Sequence, residues 1–178
     1  MLIKAYPVEG FKDNKKLIKE IKNYQTTHSC CEKFPKCPHP HFQSDARLHR
    51  HFPELALSFF DTLKKYLKDV HSSKETEYTV LESRMWAFIQ GAKTKPNWHQ
   101  HARFMDNTLE ISGLRYLTET KMGTVFDGEH LKIYLKPQVN TWFFWPSNLK
   151  HGAAITKKTK ERITIAATII LKPISTKT

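Results

Sequence analysis

Apolar residues recur at helical spacing in two segments of the N-terminal part of the chain. The first, NKKLIKEIKNY, follows Asp13 as a capping residue and places three apolar side chains on one face: Leu17, Ile18 and Ile21. The second begins at Pro53 and carries a similar apolar face up to residue 70: Leu55, Phe59, Leu63, Tyr66 and Leu67. The pattern predicts two amphipathic helices. A short strand, LIKAYPV, precedes them, and a loop over residues 26–45 separates them.

From residue 77 onward the pattern changes to β-branched and aromatic residues that alternate with polar ones. At least six strands are expected, and the clearest segments are YTVLESRMWAFIQ, LEISGLRYLT, HLKIYL, NTWFFWP and RITIAATIIL. The separators KPQVN and KKTKE have the length of hairpin loops. Helices followed by a run of strands favour an α+β fold with antiparallel sheets over an alternating parallel one.

Length and composition are those of an ordinary globular domain. The chain has 178 residues, of which 39% are hydrophobic and 26% charged. This mixture excludes collagenous, coiled-coil and disordered proteins. We predict a single domain over residues 1–178, with residues 1–75 as a helical support region and residues 77–172 as the β core.

The charge balance is strongly basic. Lys and Arg number 29 against 17 Asp and Glu, which gives a formal net charge of +12. Such a field attracts phosphates and acidic partners, so association with nucleic acid or the ribosome is one hypothesis. No aromatic-interleaved RNA motif or helix-turn-helix pattern accompanies the charge, and runs of lysine are usually solvated faces.

The cysteines lie together in the loop between the predicted helices. Cys30, Cys31 and Cys37 form an odd, clustered set that is a poor disulfide framework, and with His39 and His41 they leave a zinc site open as an alternative to a plain loop. The N-terminus lacks the apolar run of a secretion signal, and no segment approaches the ~18 apolar residues of a membrane span. We therefore expect a cytoplasmic protein with no membrane partner.

A histidine pair is the first candidate for chemistry. His99 and His101 stand two residues apart, so in an extended segment both imidazoles project from the same face and would grip one metal ion. Such pairs are also common as ordinary surface residues. His151 follows the aromatic run WFFWP, where a neutral imidazole beside an apolar wall is a good metal ligand. Arg162 shares one strand face with Thr164 and Ala166, which leaves room for a ligand carboxylate that Arg would bind with two hydrogen bonds.

Five stretches in fixed order resemble a known family: a short N-terminal strand before a helix, then SRMWAF, NWHQH, ISGLRYLT, and FFWPSNLKHG followed by ERITIAATI. They resemble the Fe(II)- and 2-oxoglutarate-dependent dioxygenases, in particular their small bacterial and phage members. The resemblance spans nearly the whole chain. It implies a double-stranded β-helix (jelly-roll, cupin-like) core with the N-terminal helices packed on one sheet.

The resemblance also implies functional roles. His99 and His151 correspond to metal ligands, and His101 occupies the position where relatives commonly carry an aspartate. Arg162 and Tyr116 correspond to residues that bind the far carboxylate of 2-oxoglutarate. The implied activity is that of a dioxygenase that uses Fe(II), 2-oxoglutarate and O2, a hydroxylase of a protein side chain or another polar substrate.

Several alternatives stay open at the level of sequence. The metal site has either three histidines or a carboxylate from elsewhere, for which Asp106 is the nearest candidate. A noncatalytic metal-binding β-barrel module, associated with nucleic acid or the ribosome, is the alternative function. A three-histidine dioxygenase that needs no 2-oxoglutarate is disfavoured, because it has no use for Arg162. Five aromatic residues are candidates to line the pocket: Trp86, Phe88, Phe104, Phe143 and Trp145. The primary substrate (protein, nucleic acid or small molecule) is not specified.

Overall fold

A computed structural model describes residues 3–8, 14–27, 41–44, 46–70, 76–91, 98–128, 131–154 and 161–174. The helices are α1 (Asn14–Thr27) and α2 (Pro53–Val70), with a short 3-10 helix at Leu48–Arg50. The strands are β1 (Lys4–Pro7), β2 (His41–Gln43), β3 (Tyr78–Gln90), β4 (Leu109–Tyr116), β5 (Thr124–Asp127), β6 (Lys132–Leu135), β7 (Thr141–Pro146), β8 (His151–Ala153) and β9 (Arg162–Pro173).

The strands form two antiparallel sheets. The larger has the order β1-β7-β4-β9-β3-β2, and the smaller has the order β6-β5-β8. Every ladder between strands is antiparallel. The prediction of helices combined with antiparallel sheets is therefore confirmed.

The separators KPQVN and KKTKE were expected to close hairpins, and this expectation is wrong. The strands on either side of each separator belong to different sheets. The chain leaves the small sheet after β6 and enters the large one at β7, and it does so again between β8 and β9. Burial explains the change of sheet. The run in β7 is almost continuously buried and takes a place between two neighbours, whereas β6 is exposed or half-buried throughout and forms an edge.

Three short strands were not predicted from the sequence. β2 lies inside the segment expected to be a loop and pairs with the end of β3. β5 and β8 pair with each other in the small sheet. These strands have three or four residues each, which is too short for the alternation of apolar and polar residues in a strand to be recognised. Asn140, directly before β7, has a φ of 59°, a left-handed conformation that asparagine adopts more readily than most residues.

Alternate side chains of β7 pack into two different hydrophobic clusters, one on each face of the large sheet. Trp142 and Phe144 belong to the main core, which lies between the large sheet and α2, while Phe143 and Trp145 belong to a second cluster on the opposite face. The α2 side chain Phe59 lies with its ring centroid 5.1 Å from that of Trp142 and 5.5 Å from that of Phe144. Helix α2 is thus packed on one face of the large sheet. The opposite face is left for the site described below. Among the described residues, no helix is both long and apolar enough to span a membrane.

We expect Phe59→Ala to destabilise the fold by about 3–5 kcal/mol, because it removes a buried ring from the contact between α2 and the sheet and leaves a cavity. The measurement is the free energy of unfolding from denaturant titration. Leu57→Ala on the same helix is the matched control, since Leu57 is 66% exposed. Equal effects of the two substitutions would contradict this packing.

Candidate metal centre and cavity

Two histidines that are close in sequence meet a third from a distant segment at one point of the fold. His99, His101 and His151 each offer a ring nitrogen, and these atoms all lie within 4.8 Å of one another. The ring centroids are 4.8 Å apart for His99 and His101, 4.5 Å for His99 and His151, and 5.2 Å for His101 and His151. Spacing of this kind lets three imidazoles converge on one metal ion.

Backbone hydrogen bonds place the three rings. His99 and His151 form an antiparallel bridge in which each backbone N–H donates to the carbonyl of the other, at 3.0 and 2.9 Å. The His101 N–H donates to the Ser147 carbonyl at 2.9 Å. The Ser147 hydroxyl shares a buried hydrogen bond of 2.9 Å with Ser112 of β4. The segment that carries the histidine pair is therefore fixed to the turn after β7 and to the start of β8.

The tautomer of His151 follows from its backbone partner. Its Nδ1 lies 2.8 Å from the Leu149 carbonyl oxygen, which only accepts hydrogen bonds. Nδ1 therefore carries the proton, and Nε2 keeps a free lone pair. A carbonyl that orients an imidazole in this way is a common support for metal-binding histidines.

Two of the rings are held neutral by their surroundings. Burial lowers the pKa of His101 to about 3, with the neighbouring rings of His99 and His151 adding to the effect. Burial also lowers the pKa of His151 to about 4. The Leu149 carbonyl opposes this shift, while His99 and Arg162 add to it. Protons therefore compete little with a metal for these two nitrogens at neutral pH.

The structure places Asp106 away from the histidines. Its side chain is exposed, and no Asp or Glu of the described ranges belongs to the group of three. The backbone turns sharply on either side of it, at Phe104 with φ of 56° and at Asn107 with φ of 53°. In the described structure His101, and not Asp106, lies beside the other two rings.

Arg162 lines the same cavity and is buried, with 4% of its surface exposed. Its Nε donates to the Met122 carbonyl at 3.1 Å, one terminal nitrogen donates to Gln90 Oε1 at 2.5 Å, and the other to Thr124 Oγ1 at 3.3 Å. All these partners are neutral. No ion pair with an acidic residue forms within the described part of the chain. A buried cation without a counter-charge is costly, so this arrangement indicates a site for an anion.

Tyr116 lies beside Arg162 but does not line the cavity. The guanidinium carbon is 5.2 Å from the centre of the Tyr116 ring, a cation–π distance. The Tyr116 hydroxyl shares a hydrogen bond of 2.7 Å with Thr124 Oγ1. Tyr116 therefore contacts the Arg162 guanidinium with its ring and positions Thr124 through the hydrogen bond of its hydroxyl.

The three histidines and Arg162 open on one cavity of about 360 Å³ between the two sheets. Three of the five predicted aromatic residues line it, namely Trp86, Phe88 and Trp145, whereas Phe143 lies in the second packed cluster and Phe104 is 70% exposed. Thr164 and Ala166, expected on the face of Arg162, also line it. Four other polar lining residues were missed in the sequence: Gln43, Gln90, Ser112 and Thr124. The sequence does not show how the strands are aligned with one another. Only this alignment places Gln90 of β3 opposite Arg162 of β9.

The predicted cluster of Cys30, Cys31, Cys37 and His39 lies outside the described residues, as does the side chain of His41. The zinc alternative for that segment therefore stays a hypothesis.

Solved structures that match this chain share its fold, whereas two other comparisons found no match. No protein-family model matches the chain, and no curated protein matches it. Among solved structures, a Pseudomonas putida prolyl-4-hydroxylase matches with a TM-score of 0.60 and 9% identity, over 94% of this chain and 91% of that one. A Burkholderia pseudomallei oxidoreductase of the 2OG-Fe(II) oxygenase family matches with a TM-score of 0.63 and 14% identity, over 94% and 83%.

A third similar structure was solved with ligands. HygX from Streptomyces hygroscopicus, with nickel, 2-oxoglutarate and hygromycin B bound, matches with a TM-score of 0.62 and 13% identity, over 97% of this chain and 83% of that one. At these identities the likeness establishes a shared fold. The resemblance seen in the sequence to the 2OG-Fe(II) oxygenases is thereby confirmed at the level of fold.

Proposed function

We propose that this chain is an Fe(II)- and 2-oxoglutarate-dependent dioxygenase that acts as a hydroxylase. The observation that carries the proposal is that one cavity contains both three converging imidazoles and the buried Arg162. Among the described residues Arg162 has no acidic partner. A divalent metal and a dicarboxylate are complementary to these two features. The fold shared with oxygenases supports the same conclusion.

We also propose that the two sheets form a double-stranded β-helix in a single domain spanning residues 1–178. The changes of sheet between β6 and β7 and between β8 and β9 support this arrangement, because strands of such a fold alternate between two facing sheets. In this interpretation residues 1–75 support the large sheet through α2, and residues 77–172 form the core.

The donor set fits iron. His99, His101 and His151 would hold the ion, and imidazole is a ligand that suits Fe, Ni, Cu and Zn. Three protein ligands leave positions open for other ligands. When bound, Fe(II) and 2-oxoglutarate supply the oxidising chemistry with O2. The chain itself fixes the ligand nitrogens, through the backbone bridge and the Leu149 carbonyl, and surrounds the site with aromatic walls.

Arg162 would bind the carboxylate of 2-oxoglutarate that lies away from the metal. Its guanidinium is already oriented by Met122, Gln90 and Thr124, so little conformational entropy is lost when an anion binds. Tyr116 contributes by holding Thr124 and by lying against the guanidinium. The ligand then lies between a fixed cation and the metal.

The primary substrate would be a protein side chain or another polar molecule. Solved structures of the same fold have ligands of both kinds. A prolyl hydroxylase from Trichoplax adhaerens is in complex with a peptide fragment, and HygX has hygromycin B bound. The cavity is bordered by a second one of about 220 Å³, and both are lined by Gln43, Trp86 and His101. This second cavity offers the primary substrate a route to the metal.

Metal-dependent conversion of 2-oxoglutarate to succinate tests the proposal. We expect the purified chain with Fe(II), O2 and 2-oxoglutarate to release succinate, slowly without primary substrate, and to stop when Fe(II) is replaced by Ni(II). Binding of metal and 2-oxoglutarate without any succinate would favour the noncatalytic binding module, for which the histidine at position 101 is the sequence argument.

The exposed position of Asp106 leads to a separate prediction about the metal ligands. We expect Asp106→Ala to bind Mn(II) or Fe(II) with an affinity close to wild type, because the side chain lies outside the group of three histidines. His99→Ala, measured in the same titration, should lose binding. Loss of binding in both variants would make Asp106 a ligand and overturn the three-histidine assignment.

A further inference from the structure

The described walls of the main cavity carry a single charged side chain. Among the described residues that line it, Arg162 is the only one with a charged side chain, and none is Asp or Glu. The other polar groups of the lining are neutral side chains and the three histidines. The part of the lining that the structure describes therefore carries no negative charge.

The two acidic residues that line the adjoining cavity are engaged with other groups. Glu82 lines the adjoining cavity and forms ion pairs with Arg84 and with Arg103. Glu110 accepts hydrogen bonds from the backbone N–H groups of Arg103, at 2.6 Å, and Met105, at 3.1 Å. In the adjoining cavity two arginines thus balance two glutamates, so neither carboxylate is left unpaired to face the main cavity.

Binding of the metal and 2-oxoglutarate would leave the cavity with a net positive charge. A divalent metal on three neutral imidazoles brings two positive charges, Arg162 adds one, and the 2-oxoglutarate dianion removes two. One positive charge remains. A carboxylate ligand at position 101 would have brought the sum to zero. An uncompensated charge in a buried site is unfavourable, so the loaded cavity attracts one further anion.

We infer that the primary substrate carries an acidic group, a carboxylate or a phosphate, which enters the metal cavity and supplies the missing negative charge. The inference rests on the proposed function, because the charge sum assumes that metal and 2-oxoglutarate are bound. The histidine in place of a ligand carboxylate then acts as a specificity determinant. It selects anionic substrates by leaving the loaded site with a positive charge.

Small probes of matched shape test this without turnover. The chain is loaded with Ni(II) and saturated with 2-oxoglutarate, and acetate, acetamide and methyl phosphate are titrated in by calorimetry at fixed ionic strength. We expect acetate to bind at least about tenfold more tightly than acetamide, since the two differ mainly in charge. Methyl phosphate, which carries more negative charge than acetate at neutral pH, shows by binding that the site accepts a phosphate, and by failing to bind that the acidic group is a carboxylate.

Two variants separate the metal cavity from the general basic surface. His101→Asp adds one negative charge inside the site and should remove the preference for acetate over acetamide. Asn107→Asp adds the same charge at an exposed position outside the cavity and should leave that preference unchanged. Metal analysis establishes that each variant is loaded before titration.

Equal binding of acetate and acetamide to the loaded wild type would overturn the inference. Loss of the preference in Asn107→Asp to the same extent as in His101→Asp would also overturn it, since the surface charge would then be responsible. Failure of the proposed function appears earlier and separately, as failure of the wild type to bind Ni(II) or 2-oxoglutarate at all.

Discussion

Replacing His151 by alanine should weaken the binding of Fe(II) or Mn(II) by more than about 100-fold, because it removes one of the three proposed ligands. His151 is also the ring whose tautomer is fixed, by the hydrogen bond from its Nδ1 to the Leu149 carbonyl. The variant keeps the β8 backbone and its bridge to His99, so the fold should survive the substitution. Metal affinity is measured by calorimetry or by metal analysis after dialysis, alongside circular dichroism.

An exposed histidine provides the control for this experiment. His51 lies outside the site, at the end of the 3-10 helix, and His51→Ala should bind metal like wild type. Equal affinity of wild type and His151→Ala would show that the metal is held elsewhere, and the three-histidine centre would then be wrong.

Replacing Arg162 by leucine should raise the dissociation constant for 2-oxoglutarate by orders of magnitude and leave the metal affinity nearly intact. The guanidinium is the only cationic group lining the cavity among the described residues, and without it the far carboxylate would be left unpaired in a buried site. The measurement is a titration of 2-oxoglutarate into Mn(II)-loaded protein without O2.

A second substitution at the same position separates charge from geometry. Arg162→Lys keeps the positive charge but loses the planar pair of donors, so we expect intermediate affinity. Arg84→Leu, which removes a cation from the adjoining cavity, serves as the control and should bind 2-oxoglutarate as wild type does. Unchanged affinity in Arg162→Leu would favour the binding-module alternative.

Much of the fold could be predicted from the sequence because its long elements have clear periods. Helix α2 shows a complete apolar face, and β3 and β9 are long enough for their β-branched and aromatic content to stand out. The short strands β5 and β8 gave no such signal. The changes of sheet depend on which strands are buried on both faces, a tertiary property that loop length does not reveal.

The candidate site could be predicted in part for a similar reason. Spacing of two residues placed His99 and His101 on one face, and the aromatic run before His151 predicted a buried imidazole. The neutral partners of Arg162 could not be predicted. Gln90 and Thr124 come from β3 and β5, and only strand pairing and the stacking of the two sheets bring them to the guanidinium.

A crystal structure of the chain grown without O2, with Mn(II) and 2-oxoglutarate, tests the central claim most directly. We predict a metal ion bonded to one ring nitrogen each of His99, His101 and His151, with the far carboxylate of 2-oxoglutarate on the Arg162 guanidinium. An oxygen of Asp106 at a coordination distance from the metal, or 2-oxoglutarate bound away from Arg162, would contradict the account.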